Sequence, residues 1–270
     1  MTINRKKYEN KNLRLVIFIP SLCGGGAERV TSNLANYFFN KKWSVTIVTL
    51  ASIESDFYVL HSGVERISLN LENNSAGLLS AIINNSNRIF ALRRVLKQLH
   101  PKVALAMGDS ANITLALASI GCKDLLTVGS ERTYPPCHYL GSAREFLRKY
   151  LYGLLSAMVT LTQESSDWVY NHTNAQKVFV IPNVAIFPLP NQDPLLDLSI
   201  IPKGCNILLA VGRFSKEKQF TLLISVFQQL ADSFPNWVLV ILGEGLERKL
   251  LLEQIKSFGL IDRVYLPGQA

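Results

Sequence analysis

Ile207-Leu-Leu-Ala-Val-Gly-Arg-Phe-Ser-Lys-Glu-Lys-Gln-Phe220 runs five apolar residues into Gly212 and follows them with Arg213, Lys216 and Lys218. A short apolar run that ends at glycine is the pattern of a buried parallel strand and the turn that leaves it. In a doubly wound α/β sheet, ligands bind outside the carboxyl ends of the strands. Arg213 and Lys218 would therefore stand beside a cleft, where paired cations suit a diphosphate. Taken singly, each could equally be a solvated surface charge.

Working downstream, the spacing predicts a helix over Phe220–Leu230, a strand over Trp237–Leu242, the turn Gly243-Glu244-Gly245, a helix over Leu246–Phe258 and a short strand over Val264–Leu266. Upstream, residues 187–203 carry Pro188, Pro190, Pro194 and Pro202 with little periodicity, the composition of a linker. It would join a first domain over residues 1–186 to a second over 204–270.

The first domain opens with a strand at Leu13–Ile19, the loop Pro20–Ala27 with Gly24, Gly25 and Gly26, a helix and a second strand at Val45–Leu50. In the helix, Ala27, Val30, Leu34, Tyr37 and Phe38 recur at helical spacing and predict one apolar face. Three glycines let the backbone approach a ligand, and the helix start beyond them offers N–H groups to an anion. Arg29 stands where the third glycine of a dinucleotide fingerprint would be, and no Gly-Lys-Ser/Thr follows, so a nucleotide-binding dehydrogenase and a Walker loop are both disfavoured. Further strands are expected at Val64–Leu69, Val103–Met107, Leu125–Gly129, Met158–Thr162 and Val178–Ile181, with a helix over Ile89–Leu99 whose basic face carries Arg93, Arg94 and Lys97. Another helix is expected from Gly108-Asp109 through Ile120, and one over Glu164–Asn171.

Ser130-Glu131-Arg132 opens a proline-held loop at a strand's carboxyl end, a place suited to a site. The next helix, Ser142–Leu155, has an apolar stripe of Ala143, Phe146, Leu147, Tyr150, Leu151, Leu154 and Leu155, with Arg144, Arg148 and Lys149 beside it. The simpler expectation is a core-packed stripe with a solvated basic edge. The alternative is a surface for anionic lipid heads or an anionic acceptor.

The 270 residues are 48% hydrophobic with net charge +8, which argues for a packed globular protein with an anionic partner. Nucleic acid is the weaker choice and is not expected as that partner, for want of a helix-turn-helix, zinc-finger or RNP-like pattern. Cys23, Cys122, Cys137 and Cys205 are far apart, as reduced thiols of a cytoplasmic protein would be. The four histidines lack ligand spacing, so no metal site is expected. No stretch reaches the roughly 20 apolar residues of a membrane span.

Gly24-Gly-Gly-Ala-Glu-Arg-Val30, Ser130-Glu-Arg132, Val180-Ile-Pro-Asn183, Val211-Gly-Arg213 with Lys218, and Gly243-Glu-Gly245 together resemble the family 4 glycosyltransferases. These are retaining GT-B enzymes with nucleotide-activated sugar donors, and the likeness is to the bacterial subgroup that extends lipid-linked or capsular oligosaccharides. The resemblance implies an α/β, GT-B-like fold of two Rossmann-like doubly wound parallel-sheet domains. It implies that Arg213 and Lys218, beside Gly212, hold the donor diphosphate and neutralise the leaving group. Gly24, Gly25 and Gly26 would face the donor, with Glu28 and Arg29 near. Gly243, Glu244 and Gly245 would line the nucleotide side, and Ser130, Glu131 and Arg132 would approach sugar and acceptor. Many relatives have histidine after that glutamate, and Arg132 carries no such role. Glu28 and Glu131 could instead be structural, and Arg29 and Arg132 ion-pair partners of neighbouring carboxylates.

The implied function is transfer of a sugar from a nucleotide-diphosphate donor to a polyprenyl-linked or polysaccharide glycan, without cofactor or metal, in the cytoplasm and with peripheral contact at the membrane's inner face. The family's Glu-x7-Glu pair does not occur here, so the second domain is expected to be incomplete and residues 1–270 alone to turn over little. The alternatives are a non-catalytic remnant, a subunit needing a separate C-terminal chain, or another GT-B activity such as a sugar-nucleotide epimerase.

Overall fold

The computed structural model describes residues 13–72, 77–184 and 198–268. The chain divides into two units, Met1–Ala185 and Ile186–Ala270. The expected linker 187–203 lies largely outside the described residues. At its end, Ile201 is buried against Val238 and Val240 of the second unit.

In the first unit, β1 (Arg14–Ile19), α1 (Gly26–Asn40), β2 (Ser44–Thr49) and β3 (Glu65–Ser68) are followed by α2 (Leu78–Leu99), β4 (Val103–Met107), α3 (Asp109–Ala118) and β5 (Leu126–Ser130). Then come α4 (Ser142–Leu151), β6 (Ala157–Thr160), α5 (Gln163–His172) and β7 (Val178–Val180). The strands form one parallel sheet in the order β3-β2-β1-β4-β5-β6-β7. The chain thus winds outward from β1 to one edge, crosses back to β4 and winds to the other edge. That reversal makes the ends of β1 and β4 the switch point of a doubly wound sheet.

β1 shows why the centre of the sheet is stable. Leu15, Ile17 and Ile19 point into a core with α1, while Val16 and Phe18 point into a second core with α2 and α3. Alternation along one strand feeds both faces, and burying each such side chain fully is worth about 1.5–3 kcal/mol. The face predicted for α1 is the one observed, except that Tyr37 is exposed. The helix predicted from Ile89 begins at Leu78.

The helix over Ser142–Leu151 departs in large part from the simpler expectation: of the stripe, Leu151 and Leu155 pack on the core, while Ala143, Phe146, Leu147, Tyr150 and Leu154 face outward. Arg148 is 1% exposed, whereas Phe146 is 62% and Tyr150 47% exposed. A buried guanidinium must be paired, and here it meets the Glu145 carboxylate at 2.6 Å and lies over the Trp168 ring. Glu145 lies three residues back on the same helix, so the Trp168 ring of α5 is the contact from another element that meets the buried guanidinium.

The second unit contains β8 (Asn206–Val211), α6 (Phe220–Ala231), β9 (Trp237–Leu242), α7 (Arg248–Ser257) and β10 (Val264–Gly268). Its parallel sheet has the order β10-β9-β8. Phe220, Ile224 and Phe227 of α6 and Leu251 and Ile255 of α7 cover Leu239 and Ile241 of β9. The strand expected at Ile207–Val211 is present and parallel but not buried: Val211 is 71% and Leu209 56% exposed. Among the described residues β8 has β9 on one side only, so its other edge and much of its apolar surface face solvent.

Candidate functional site

In the second unit, the turns leaving β8, β9 and β10 are laced together by backbone. Gly212 N–H donates to the Leu242 carbonyl at 2.9 Å, Phe214 N–H to the Glu244 carbonyl at 2.8 Å, and Gly243 N–H to the Gly268 carbonyl at 2.8 Å. The glycines of Gly243-Glu244-Gly245 have a steric origin. A Cβ on Gly243 would fall 1.9 Å from the Gly212 carbonyl oxygen, and one on Gly245 would fall 2.4 Å from that of Phe214. Gly243 also has φ +151°. We expect Gly243→Ala to cost about 2–3 kcal/mol through backbone strain and overpacking. A parental midpoint of thermal unfolding for that variant would contradict the packing described.

Arg213 and Lys218 are both exposed on the turn after β8. The Lys218 stem runs back toward Gly212, its Cδ 3.6 Å from where a Cβ there would stand. Between the two cations lies Glu217, whose carboxylate is held below the usual range by its own backbone N–H, then by the Ser215 hydroxyl, with Arg213 and Lys218 adding to the effect. The turn thus gathers two cations and one acid at a strand's carboxyl end. Glu244 pairs with Arg248 at 2.7 Å, and Arg248 also donates to the Leu266 carbonyl at 2.9 Å. Arg248 was not singled out from sequence, although its four-residue spacing from Glu244 is a pairing signal.

In the first unit, Gly24 and Gly25 sit between β1 and α1, with Gly26 as the first helical residue. Tyr58 brackets Gly25: its hydroxyl donates to the Gly25 carbonyl at 2.8 Å and lies 3.2 Å from the Gly25 N–H. One of the N–H groups expected to be available to an anion is therefore already engaged. Gly26 is open, with nothing within 4 Å of a Cβ added there. Glu28 lies in the first turn of α1 and Arg29 is exposed beside it. Tyr58 belongs to a stretch without periodicity, and no sequence signal marked it.

The Ser130-Glu131-Arg132 segment leaves β5 beside a cavity of about 400 Å³ at the start of α5. Glu131, Arg132, Thr133, Tyr134, Leu161, Thr162, Glu164 and Ser165 line it, a largely apolar wall with hydroxyl, carboxylate and guanidinium groups, of a size for a sugar ring. Ser130 is buried and does not line it; its backbone exchanges hydrogen bonds with the Asn112 amide at 3.0 and 3.2 Å, and its hydroxyl accepts from Arg132 at 3.2 Å. Arg132 also donates to Asn183, and burial lowers the pKa of its guanidinium. On the rim, Glu164 stays ionised to lower pH than usual because its own backbone N–H and the Thr162 hydroxyl bind it.

Glu131 is 2% exposed and accepts from the Tyr152 hydroxyl at 2.6 Å. Burial pushes its carboxyl from 4.5 up to about 7; the Tyr152 hydrogen bond opposes this, Asp109 adds to it and Arg148 opposes it. A carboxyl with a raised pKa in the folded state contributes stability below its unfolded value, and loses that contribution as pH rises through about 7. We expect up to about 3 kcal/mol of stability to be lost from about pH 5 to about pH 8. Glu131→Gln should lack that component. Parallel stability curves for parent and variant over this window would show that Glu131 does not titrate as its burial requires.

Residues 197–270, within the second unit, match the family model described as glycosyl transferases group 1. The chain is 25% identical over 257 residues to the amylovoran biosynthesis glycosyltransferase AmsD of Erwinia amylovora. It is 28% identical over 249 residues to an α-1,4-N-acetyl-D-galactosaminyltransferase of Campylobacter jejuni, named for a substrate carried on diphospho-undecaprenol. Each alignment covers 92% of this chain, and the chain spans 66% of each relative's length. Among solved structures, sucrose-phosphate synthase from Thermosynechococcus elongatus aligns with a TM-score of 0.74 at 14% identity, over 96% of this chain and 71% of that one. Anabaena HepE in complex with UDP and glucose aligns with a TM-score of 0.67 at 18% identity, over 96% and 70%.

Proposed function

From the premise that this chain has the GT-B fold and carries a group 1 glycosyl transferase domain over residues 197–270, we propose that it takes part in transferring a sugar from a nucleotide-diphosphate donor to a glycan. The turn holding Arg213 and Lys218 at the end of β8 carries this reading. It offers fixed positive charge where a diphosphate departs, and such charge acts most strongly on the transition state, when the leaving group gains negative charge. A side chain at Gly212 would crowd the Phe220 ring and the Lys218 stem, so glycine keeps this turn compact beside Lys218.

The acceptor is a polyprenyl-linked or polysaccharide glycan. Support comes from the relatives' names and from the cavity beside Arg132, whose largely apolar wall with hydroxyl, carboxylate and guanidinium groups suits a sugar ring. Transfer proceeds with retention, at the cytoplasmic face of a membrane that the protein meets peripherally. Among the described residues, no helix is long and apolar enough to cross that membrane.

The test is to incubate the protein with a panel of nucleotide sugars and a polyprenyl-diphosphate-linked oligosaccharide. Slow release of nucleoside diphosphate together with a glycan longer by one α-linked sugar is expected, because residues 1–270 alone are expected to turn over little. Epimerised free sugar, with no glycan product, would replace this reading with the epimerase alternative.

A further inference from the structure

We propose that the outward face of α4 docks the protein onto a bilayer of anionic lipid. The proposal extends the function above by placing the membrane contact on a particular surface, and its geometry is independent of donor chemistry. Ala143, Phe146, Leu147 and Tyr150 lie on one side of the helix by their spacing. Leu154 continues them in the turn that follows. Phe146, Leu147, Tyr150 and Leu154 are all exposed, with Phe146 the most open. The Phe146 and Tyr150 rings stand 4.7 Å apart and form a single aromatic ridge.

This apolar side faces away from the core. Arg148 occupies the inward position, held by Glu145 and stacked on the Trp168 ring 4.6 Å away. The same anchor also draws in the helix's acid: the Glu145 carboxylate binds Arg148 and accepts from Leu140 N–H. What remains outside is an aromatic and aliphatic ridge flanked by Arg144 and Lys149, with the Lys149 Nζ 5.6 Å from the Tyr150 ring. Cations bordering an apolar ridge complement anionic headgroups above acyl chains, the arrangement of a helix lying in a membrane interface. A second protein is the poorer occupant, because a standard interface uses roughly 20–30 residues a side and this ridge offers only these few.

The proposal is tested by co-sedimentation with vesicles, with no nucleotide sugar or acceptor present, so the outcome is separate from that of the transfer assay. The full chain is expected to bind vesicles containing phosphatidylglycerol and to bind pure phosphatidylcholine far less. Phe146→Ser with Tyr150→Ser should lower binding by about tenfold or more, and Arg144→Gln with Lys149→Gln should remove the preference for phosphatidylglycerol. Both pairs should keep the parental circular dichroism and affinity for nucleoside diphosphate. Should the serine pair fail to fold, Phe146→Trp takes its place, and its added fluorescence should shift to the blue on phosphatidylglycerol vesicles. Failure of the parent to bind such vesicles, undiminished binding by the folded serine pair, or an unshifted signal from the introduced indole would overturn the proposal. So would a concentration-dependent dimer that the serine pair abolishes.

Discussion

Replacing Arg213 or Lys218 with alanine is expected to weaken nucleoside-diphosphate binding by about 1–3 kcal/mol each, the range of a charge-assisted contact, and replacing both by less than the sum. Both residues are exposed on the turn after β8, so neither change removes core packing. The midpoint of thermal unfolding should therefore stay near that of the parent while the calorimetric binding isotherm flattens. The two effects should also be less than additive, because both cations act on one diphosphate and share the field of Glu217. A double variant that binds as the parent does would remove this turn from the donor site.

Arg148→Ala is expected to destabilise the protein by about 3–5 kcal/mol, the cost of breaking a buried ion pair by deleting one partner. Several losses combine in that figure. Glu145 loses its charge partner, Trp168 loses the guanidinium over its ring, and a volume the size of an arginine side chain empties beneath α4. Arg148→Lys should recover only part of the loss, because an ammonium cannot reproduce the two-pronged contact with Glu145. Urea unfolding checks both variants. An Arg148→Ala change within about 0.5 kcal/mol of the parent, the range of ordinary surface substitutions, would mean that α4 is not anchored from inside.

Most of the fold was legible because its signals are local. Trp237–Leu242 is a strand in sequence and in structure, and the glycines at 24–26, 212 and 243–245 mark turns at strand ends where they were expected. The rotation of α4 was not legible. Its apolar stripe reads as core by periodicity, yet only Leu151 and Leu155 pack inside, and the inward place beside them is taken by Arg148 under the Trp168 ring of another helix. The exposure of β8 was hidden for a related reason: an apolar run cannot report how many neighbours its strand will have. At the candidate site, the sequence marked Glu131 at a loop but not the buried Tyr152 that binds its carboxylate, nor the Asn112 that binds Tyr152 and the Ser130 backbone. Those partners come from other elements and share no motif with the loop.

The sequence expectation of a catalytic role for Arg213 and Lys218 gains its physical content from backbone geometry. Gly243 and Gly245 let the turn after β9 pack directly on the main chain of Gly212 and Phe214, so Arg213 and Lys218 stand exposed on a closely packed turn. An amide-resolved magnetic resonance titration with nucleoside diphosphate is the sharpest test. Saturable shifts confined to Gly212, Arg213, Lys218 and the amides of residues 243–245 are what a diphosphate seated on this turn produces. Saturable shifts elsewhere, with this turn unmoved, would contradict it.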